Sequence, residues 1–391
     1  MIRKLYHWAA DMSRYGVALG KRRALQRGPL GIDYTSPEYR RLAERTVARL
    51  HPRRMRLRVE EVIERTASTK TLRLIRSDGA IGPVRAGQYV NLYVCIDGVR
   101  TSRPYSISSP PGRGYLDLTV RRKEGGFVSP YLLDQVAAGT ELESSGPAGQ
   151  FYYEPLIDRQ GLVLLAGGSG ITPFMSLIAQ QAERGWEVPI TLLYGSRRPD
   201  DVIFADELLA LAEQHAAFRY VLVISEPTGG YAGEQGLITA ELIKSHTGDA
   251  ERRTYLVCGP GAMYRHCERE LLKLGVRQHK IRRELYGPPD DVTAEPGWPA
   301  GAAADRVFTV RVSGYDAFEA PAAEPLLASL ERHGIGVRTL CRSGQCSYCR
   351  LRLCSGDVFY PAHTALRESD RTGGYIHPCQ SYPLSDLELC F

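Results

Sequence analysis

Cys341, Cys346 and Cys349 lie within nine residues of one another, and Cys379 follows after 29 more. Thiolates bind iron and zinc, and C-x4-C-x2-C with a distant fourth cysteine is a spacing that holds a [2Fe-2S] cluster. Three ligands so close force a tight loop, in which Gly344 gives the backbone freedom for amides to turn toward the sulfides. The competing chemistry is a structural zinc ion, whose four cysteines usually arrive as two CxxC-like pairs. The isolated fourth cysteine favours the cluster. Six of the nine cysteines fall in the last 51 residues. With no secretory pattern at the N-terminus, that crowding points to metal rather than disulfides, and to a cytoplasmic protein. Cys354 and Cys390 fall outside the ligand pattern and read as buried or incidental thiols.

A second group of residues suits a flat heterocycle carrying phosphate. In Arg103-Pro104-Tyr105-Ser106 an arginine can pair with phosphate, an aromatic ring can stack, and a hydroxyl can hydrogen-bond a ring nitrogen. Downstream, Thr119-Val120-Arg121 ends a strand, and Gly126-Phe127-Val128-Ser129 leads from a double glycine into a helix whose free amides can receive a diphosphate.

A third group suits a dinucleotide. Gly167, Gly168 and Gly170 follow the apolar run Leu162 to Ala166 and precede a helix that opens with Thr172-Pro173. Glycines let the backbone approach a pyrophosphate, and the helix N-terminus adds amides and partial positive charge. Cys258-Gly259-Pro260 repeats the strand-to-glycine pattern further on. Ser196 and Arg197 end another strand, where an arginine fork matches a ribose 2′-phosphate. No acidic residue stands at that strand end to hold a free 2′-hydroxyl, so the balance leans to NADPH, with NADH the alternative.

The elements that must position these groups can be read from hydrophobic rhythm. Residues 57–155 show short alternating strands between Gly/Pro turns (57–63, 71–74, 88–94), which predicts an antiparallel β-barrel. Residues 156–286 alternate apolar strands with helices at 172–184 and 201–213, which predicts an α/β doubly wound domain with a parallel sheet. Residues 287–304 carry four prolines and no apolar period, the composition of a linker. Residues 305–391 form a third domain, with a helix at 325–333 ahead of the cysteines.

The Arg103 and Gly126 segments together resemble the flavin domain of the ferredoxin-NADP reductase family, and the two glycine turns resemble its nicotinamide domain. Residues 305–391 resemble the plant-type ferredoxin domain, whose fold is a β-grasp. The resemblance implies that Arg103, Pro104, Tyr105, Ser106, Thr119, Val120, Arg121, Gly126, Phe127, Val128 and Ser129 serve the flavin. FAD is favoured over FMN because the diphosphate turn is intact. It further implies that Gly167, Gly168, Gly170, Thr172, Pro173, Ser196, Arg197, Cys258, Gly259 and Pro260 bind the nicotinamide dinucleotide. Ser106, Cys258, Glu284 and Tyr286 would then surround the hydride-transfer centre, with Tyr286 shielding the ring.

A nicotinamide gives up two electrons as hydride and a [2Fe-2S] centre accepts one, and a flavin between them can store two and release them singly. The expected activity is therefore an electron-transfer reductase running from NAD(P)H through FAD and the cluster to a protein acceptor, such as an oxygenase or another metalloenzyme. The alternative is an obligate subunit of a larger redox complex, held through residues 1–56. Arg338, Arg342, Arg350 and Arg352 flank the ligands and would steer an acidic acceptor.

The chain of 391 residues carries a net charge of +6 and 24% charged residues, too mild a balance to suggest nucleic acid. The charge is uneven, with 14 Lys/Arg against 4 Asp/Glu in residues 1–56. There Leu5, Trp8, Met12, Tyr15 and Leu19 recur at three- and four-residue spacing, the signature of a basic amphipathic helical extension. Such a helix suits a partner subunit, the barrel surface, or peripheral contact with an anionic membrane.

Overall fold

The computed structural model describes residues 36–50, 54–158 and 160–390. The chain divides into two units, residues 1–53 and residues 54–391. In the first, helix α1 (Pro37–Leu50) is capped by Ser36, whose hydroxyl accepts the Tyr39 amide at 3.1 Å. The helix expected around Leu5 to Leu19 lies outside the described residues. Among the described residues no helix is long and apolar enough to cross a membrane.

The second unit begins with a six-stranded antiparallel sheet: β1 (Met55–Thr66), β2 (Thr69–Arg76), β3 (Tyr89–Ile96), β4 (Val99–Ser106), β5 (Tyr115–Arg121) and β6 (Glu141–Ser144), in the order β4-β3-β6-β1-β2-β5. A bridge between Ile107 and Leu118 joins the two edges and curls the sheet into a barrel. Alternation explains the burial: Met55, Leu57 and Val59 point inward while Arg56, Arg58 and Glu60 face water. The barrel starts two residues earlier than the sequence suggests. Helix α2 (Ser129–Asp134) plugs the barrel with Leu132 and Leu133.

Next come β7 (Leu162–Gly167), β8 (Ile190–Ser196), β9 (Phe218–Ile224), β10 (Glu234–Gln235), β11 (Thr254–Cys258) and β12 (Ile281–Glu284), paired in parallel in the order β10-β9-β8-β7-β11-β12. Helices α3 (Thr172–Glu183), α4 (Ala205–Gln214), α5 (Ala240–Thr247) and α6 (Gly261–Lys273) cover the sheet. Both faces are therefore dry. Leu162, Leu164 and Ala166 pack to one side, and Val163 and Leu165 to the other. Strand order reverses between β7 and β11, so the glycine turns after those strands flank one crevice. Helix α4 begins at Ala205, later than expected. Residues Pro199–Asp201 form a short 3-10 turn, and the Asp201 carboxylate accepts from Ser68 Oγ (2.9 Å), Thr66 Oγ1 (3.1 Å) and Arg121. Those bonds hold the barrel and the nucleotide domain together.

The third domain contains β13 (Val307–Val312), β14 (Phe318–Pro321), β15 (Leu351–Ser355), β16 (Val358–Phe359), β17 (Tyr375–Ile376), β18 (Tyr382–Pro383) and β19 (Leu387–Cys390). Five of them form a mixed sheet, β14-β13-β19-β15-β17, that clasps helix α7 (Leu326–Arg332) through Leu326 and Leu330. A mixed sheet around one helix is the β-grasp arrangement that the sequence led us to expect.

Two expectations need correction. Cys354 and Cys390 are not idle thiols, because they form a disulfide between β15 and β19. Cys354 sits at an irregularity in that pairing, which turns its side chain toward Cys390. The bridge closes a 36-residue interval, for which chain entropy gives at most about 4 kcal/mol. Cys354→Ser should lower the melting temperature of oxidised protein, and a reductant should abolish the difference between the two proteins. Equal melting curves under oxidising conditions would contradict the bridge. Residues 287–304 are likewise no loose tether. Val292 is buried, Trp298 packs edge-on against Phe359, and Glu295 pairs with Arg265 of α6 at 2.8 Å. Isolated apolar residues fill gaps between domains without leaving any periodic trace.

Candidate functional site

A cleft of about 1480 Å³ runs between the three domains of the second unit. The barrel supplies Arg103, Pro104, Tyr105 and Ser106 from β4, which all line it. Arg103 is the informative member. Among the described residues its guanidinium donates to Thr101 Oγ1 (2.8 Å) and the Ser102 carbonyl (2.7 Å). Burial, then the neighbouring Arg342, pull its pKa down to about 10. A half-buried guanidinium whose hydrogen bonds go to neutral oxygens suits an anion, and a flavin phosphate is one.

The diphosphate turn is built tightly. Ser129 Oγ accepts the Lys123 amide at 2.9 Å, and a Cβ on Gly126 would stand 2.8 Å from the Lys123 carbonyl oxygen. Phe127 is exposed at the cleft, whereas the Val128 side chain belongs to the barrel core. Thr119 lines the cleft through a buried hydroxyl network with Thr71 (2.8 Å) and Ser108 (2.9 Å). Val120 does not reach the cleft, since its side chain alternates into the core. Arg121 does reach it, but its guanidinium is committed to Asp201 and lies beneath Gly168, where a Cβ would come within 2.7 Å. The structure thus makes Arg121 a domain clamp at the rim of the site.

Across the cleft, close backbone approach accounts for the glycines. A Cβ on Gly170 would meet the Cys258 carbonyl oxygen at 2.1 Å, and one on Gly167 would meet Met263 Sδ at 2.3 Å. Thr172 Oγ1 donates to the Ser169 carbonyl at 3.0 Å at the start of α3. Pro173 is buried in the first turn of that helix, away from the cleft. Gly259 and Pro260 line the opposite wall, with the Gly259 amide donating to Tyr264 OH at 3.2 Å.

The two half-sites meet at Tyr286. Its hydroxyl hydrogen-bonds the Ser106 hydroxyl, and Cys258 lies beside it. Burial, then the Glu284 charge, push the Cys258 thiol far above its ordinary range, so it stays protonated. Glu284 is not part of the cleft lining. Burial, then the charge of Cys341, pushes its carboxyl up to about 8. That links Glu284 both to the thiol and to the ferredoxin domain.

The four expected ligands converge as two pairs. Cys349 and Cys379 sulfurs lie 3.4 Å apart, and Cys341 is hydrogen-bonded to Cys346. Among the described residues no set of three His, Cys, Asp or Glu closes on a single ion position. Two pairs match a two-iron cluster, each iron taking two thiolates. The loop between them turns through left-handed backbone at Arg342 (φ 54°), Gly344 (φ 75°) and Ser347 (φ 56°).

Arg342, expected on a docking face, is instead 7% exposed and forked onto Glu331 at 2.7 and 2.8 Å. Thr101 Oγ1 donates to the same carboxylate at 2.9 Å, and Asn91 Nδ2 donates to the Thr339 carbonyl at 3.0 Å. These bonds seat the cluster loop against β3 and β4 of the barrel. Arg350 is also engaged, with Asp370 at 2.9 Å.

At the far end of the cleft, Ser196 donates to the Arg198 carbonyl at 3.2 Å, and Arg197 is paired with Glu226 at 2.9 Å. The end of β8 itself carries no acid, as expected, but a carboxylate reaches it from elsewhere. The carboxylate comes from the end of the neighbouring strand β9, a position that inspecting β8 alone could not reveal. A 2′-phosphate bound at Arg197 would therefore lie beside the Glu226 carboxylate. Residues of α7, Glu331 and Arg332 among them, also line the cleft. Only the docking of the third domain brings them there.

Comparison with known proteins gives three consecutive domain matches: residues 54–153 to the oxidoreductase FAD-binding domain family, 164–269 to the oxidoreductase NAD-binding domain family, and 310–384 to the 2Fe-2S iron-sulfur cluster binding domain family. The chain is 31% identical over 335 residues to NADH oxidoreductase HCR of Escherichia coli, covering 85% of this chain and 97% of that one. It is 30% identical over 346 residues to the ferredoxin reductase component of a 3-ketosteroid-9-alpha-monooxygenase from Mycobacterium tuberculosis, covering 85% and 94%. Among solved structures, phthalate dioxygenase reductase matches with a TM-score of 0.64 at 23% identity, over 86% of this chain and 98% of that one. That last likeness is one of fold.

Proposed function

Because the chain belongs to the ferredoxin-reductase-type NAD(P)H oxidoreductases that carry a C-terminal [2Fe-2S] domain, we propose that it serves an oxygenase-type metalloprotein and takes its electrons from NADH. Electrons run from the reduced nicotinamide through FAD and the cluster to a protein acceptor. The bound FAD supplies the exchange between a hydride and single electrons. The chain's residues do the rest. Arg103 and the Gly126 to Ser129 turn hold the flavin phosphates, Ser106 orients the ring, and Tyr286 covers its open face. Cys258 offers a neutral S–H beside the place where hydride leaves. The paired cysteines hold the cluster against the barrel.

The observation that carries this reading is the seating of the cluster loop on the flavin strands, through Asn91, Thr101 and the Arg342–Glu331 fork. The choice of NADH rests on Glu226, and the related Escherichia coli protein is named for NADH. An oxygenase-type acceptor is supported by the names of relatives such as the monooxygenase reductase component. The obligate-subunit alternative is not favoured, since those relatives align almost end to end with about 85% of this chain. The need for reduced nicotinamide is what supports a cytoplasmic location in this reading.

Anaerobic titration tests the relay. Full bleaching should take roughly 1.5 equivalents of NADH, because the flavin takes two electrons and the cluster one. Uptake that stops near one equivalent, with the cluster still oxidised, would remove the second half of the relay.

A further inference from the structure

Gln380 follows the cluster ligand Cys379 and is completely buried. Its side-chain nitrogen donates to two carbonyls from different domains: Gly287 at 3.0 Å and Arg342 at 3.1 Å. The first belongs to the chain leaving the nucleotide domain, one residue past Tyr286. The second belongs to the cluster loop. The Gln380 stem is wedged against that loop as well, since a Cβ on Gly344 would come within 2.9 Å of its Cγ. With both amide hydrogens in use and the stem confined, the side chain is a short rigid strut.

Tyr286 is thereby held at two points. Its hydroxyl is bonded to Ser106 in the barrel, and its backbone is fixed through Gly287 to the ferredoxin domain. Gly287 has left-handed backbone (φ 66°), and a Cβ there would meet nothing within 4 Å. It is therefore the point at which the segment could swing if the strut were absent. If Tyr286 shields the flavin as proposed, a nicotinamide ring reaching Ser106 would have to displace it, breaking the Ser106 bond and pulling on the Gly287 carbonyl that Gln380 holds.

We propose that Gln380 is a positioning residue for Tyr286, so that the ferredoxin domain, through one amide beside a cluster ligand, sets how readily nicotinamide gains the flavin face. This rests on the proposed role of Ser106 and Tyr286 at the flavin. The strut biases a closed arrangement, and a dinucleotide binds more weakly by the fraction of protein that is closed.

Gln380→Met keeps the volume and removes both donors. In the full-length holoprotein, we expect the Kd for NAD⁺, measured by calorimetry, to fall by roughly threefold or more, with KM for NADH falling and kcat not rising. Iron content and the cluster's visible circular dichroism should remain those of the parent. An unchanged Kd with the cluster intact overturns the proposal. If Gln380→Met loses iron, Cys346→Ala serves as a cluster-free reference that keeps the strut: tighter NAD⁺ binding in Gln380→Met alone supports the proposal, and equal binding in the two overturns it. Tyr286→Ser separates the layers. If it tightens NAD⁺ binding and Gln380→Met does not, only the strut fails. If Tyr286→Ser changes nothing, the shielding role fails and the strut with it.

Discussion

Replacing Cys346 by alanine will lower electron transfer from NADH to cytochrome c, used as a one-electron protein acceptor, by at least roughly 100-fold, while flavin reduction by NADH stays within about threefold of the parent. The asymmetry follows from where the residue stands. Cys346 belongs to the Cys341 pair, in a loop seated on the barrel through Thr339 and Arg342. No cleft residue depends on its sulfur. Removing one thiolate leaves one iron of the cluster short of a ligand, and a cluster does not survive an open iron site in water. Alanine is the better substitute because a serine oxygen could take the sulfur's place. Stopped-flow absorbance separates the two steps, and iron analysis confirms the loss. Persistent cytochrome c reduction by iron-free protein would mean that electrons leave directly from the flavin.

Glu226→Gln will raise kcat/KM for NADPH by roughly 10- to 100-fold and lower that for NADH by a few-fold. Arg197 and Glu226 are both well exposed, with side chains 74% and 56% accessible. As a stabilising contact the pair is worth under about 1 kcal/mol. Its effect is on selection. A 2′-phosphate brought to Arg197 must lie beside a carboxylate of like charge, which costs about 1 to 4 kcal/mol at contact distance depending on local screening. Glutamine keeps the shape, removes the repulsion, and frees the guanidinium for the phosphate. Because the site is open, the gain should shrink as salt is raised. Steady-state kinetics with both nucleotides at two ionic strengths checks both statements. A variant that ignores NADPH at either salt would locate the ribose elsewhere.

Much of the candidate site was legible in the sequence because its chemistry is local. A two-iron cluster needs thiolates at short intervals, and a pyrophosphate needs glycine where a strand turns into a helix. Cys341, Cys346, Cys349, Gly126, Gly167 and Gly170 therefore announce themselves within a few residues. Gly170 can carry no Cβ beneath the Cys258 carbonyl, and that prohibition is visible as the residue type itself. Alternation likewise predicts a barrel and a parallel sheet, since burial on one face or two leaves a period of two or a continuous apolar run.

What the chain order by itself determined is the set of cofactors and the domains that hold them. Only the tertiary structure decided how those domains are joined. Glu226 reaches Arg197 from the neighbouring strand, Arg342 turns inward to Glu331, Cys354 meets Cys390, and Gln380 ties Gly287 to the cluster loop. These are pairings across 11 to 93 positions of sequence, and the residues that make them leave no periodic signature. A hydrogen bond or ion pair requires two groups within about 3 Å. Sequence patterns report which face of its own element a residue occupies, not which distant group the packing of sheets and domains will set against it.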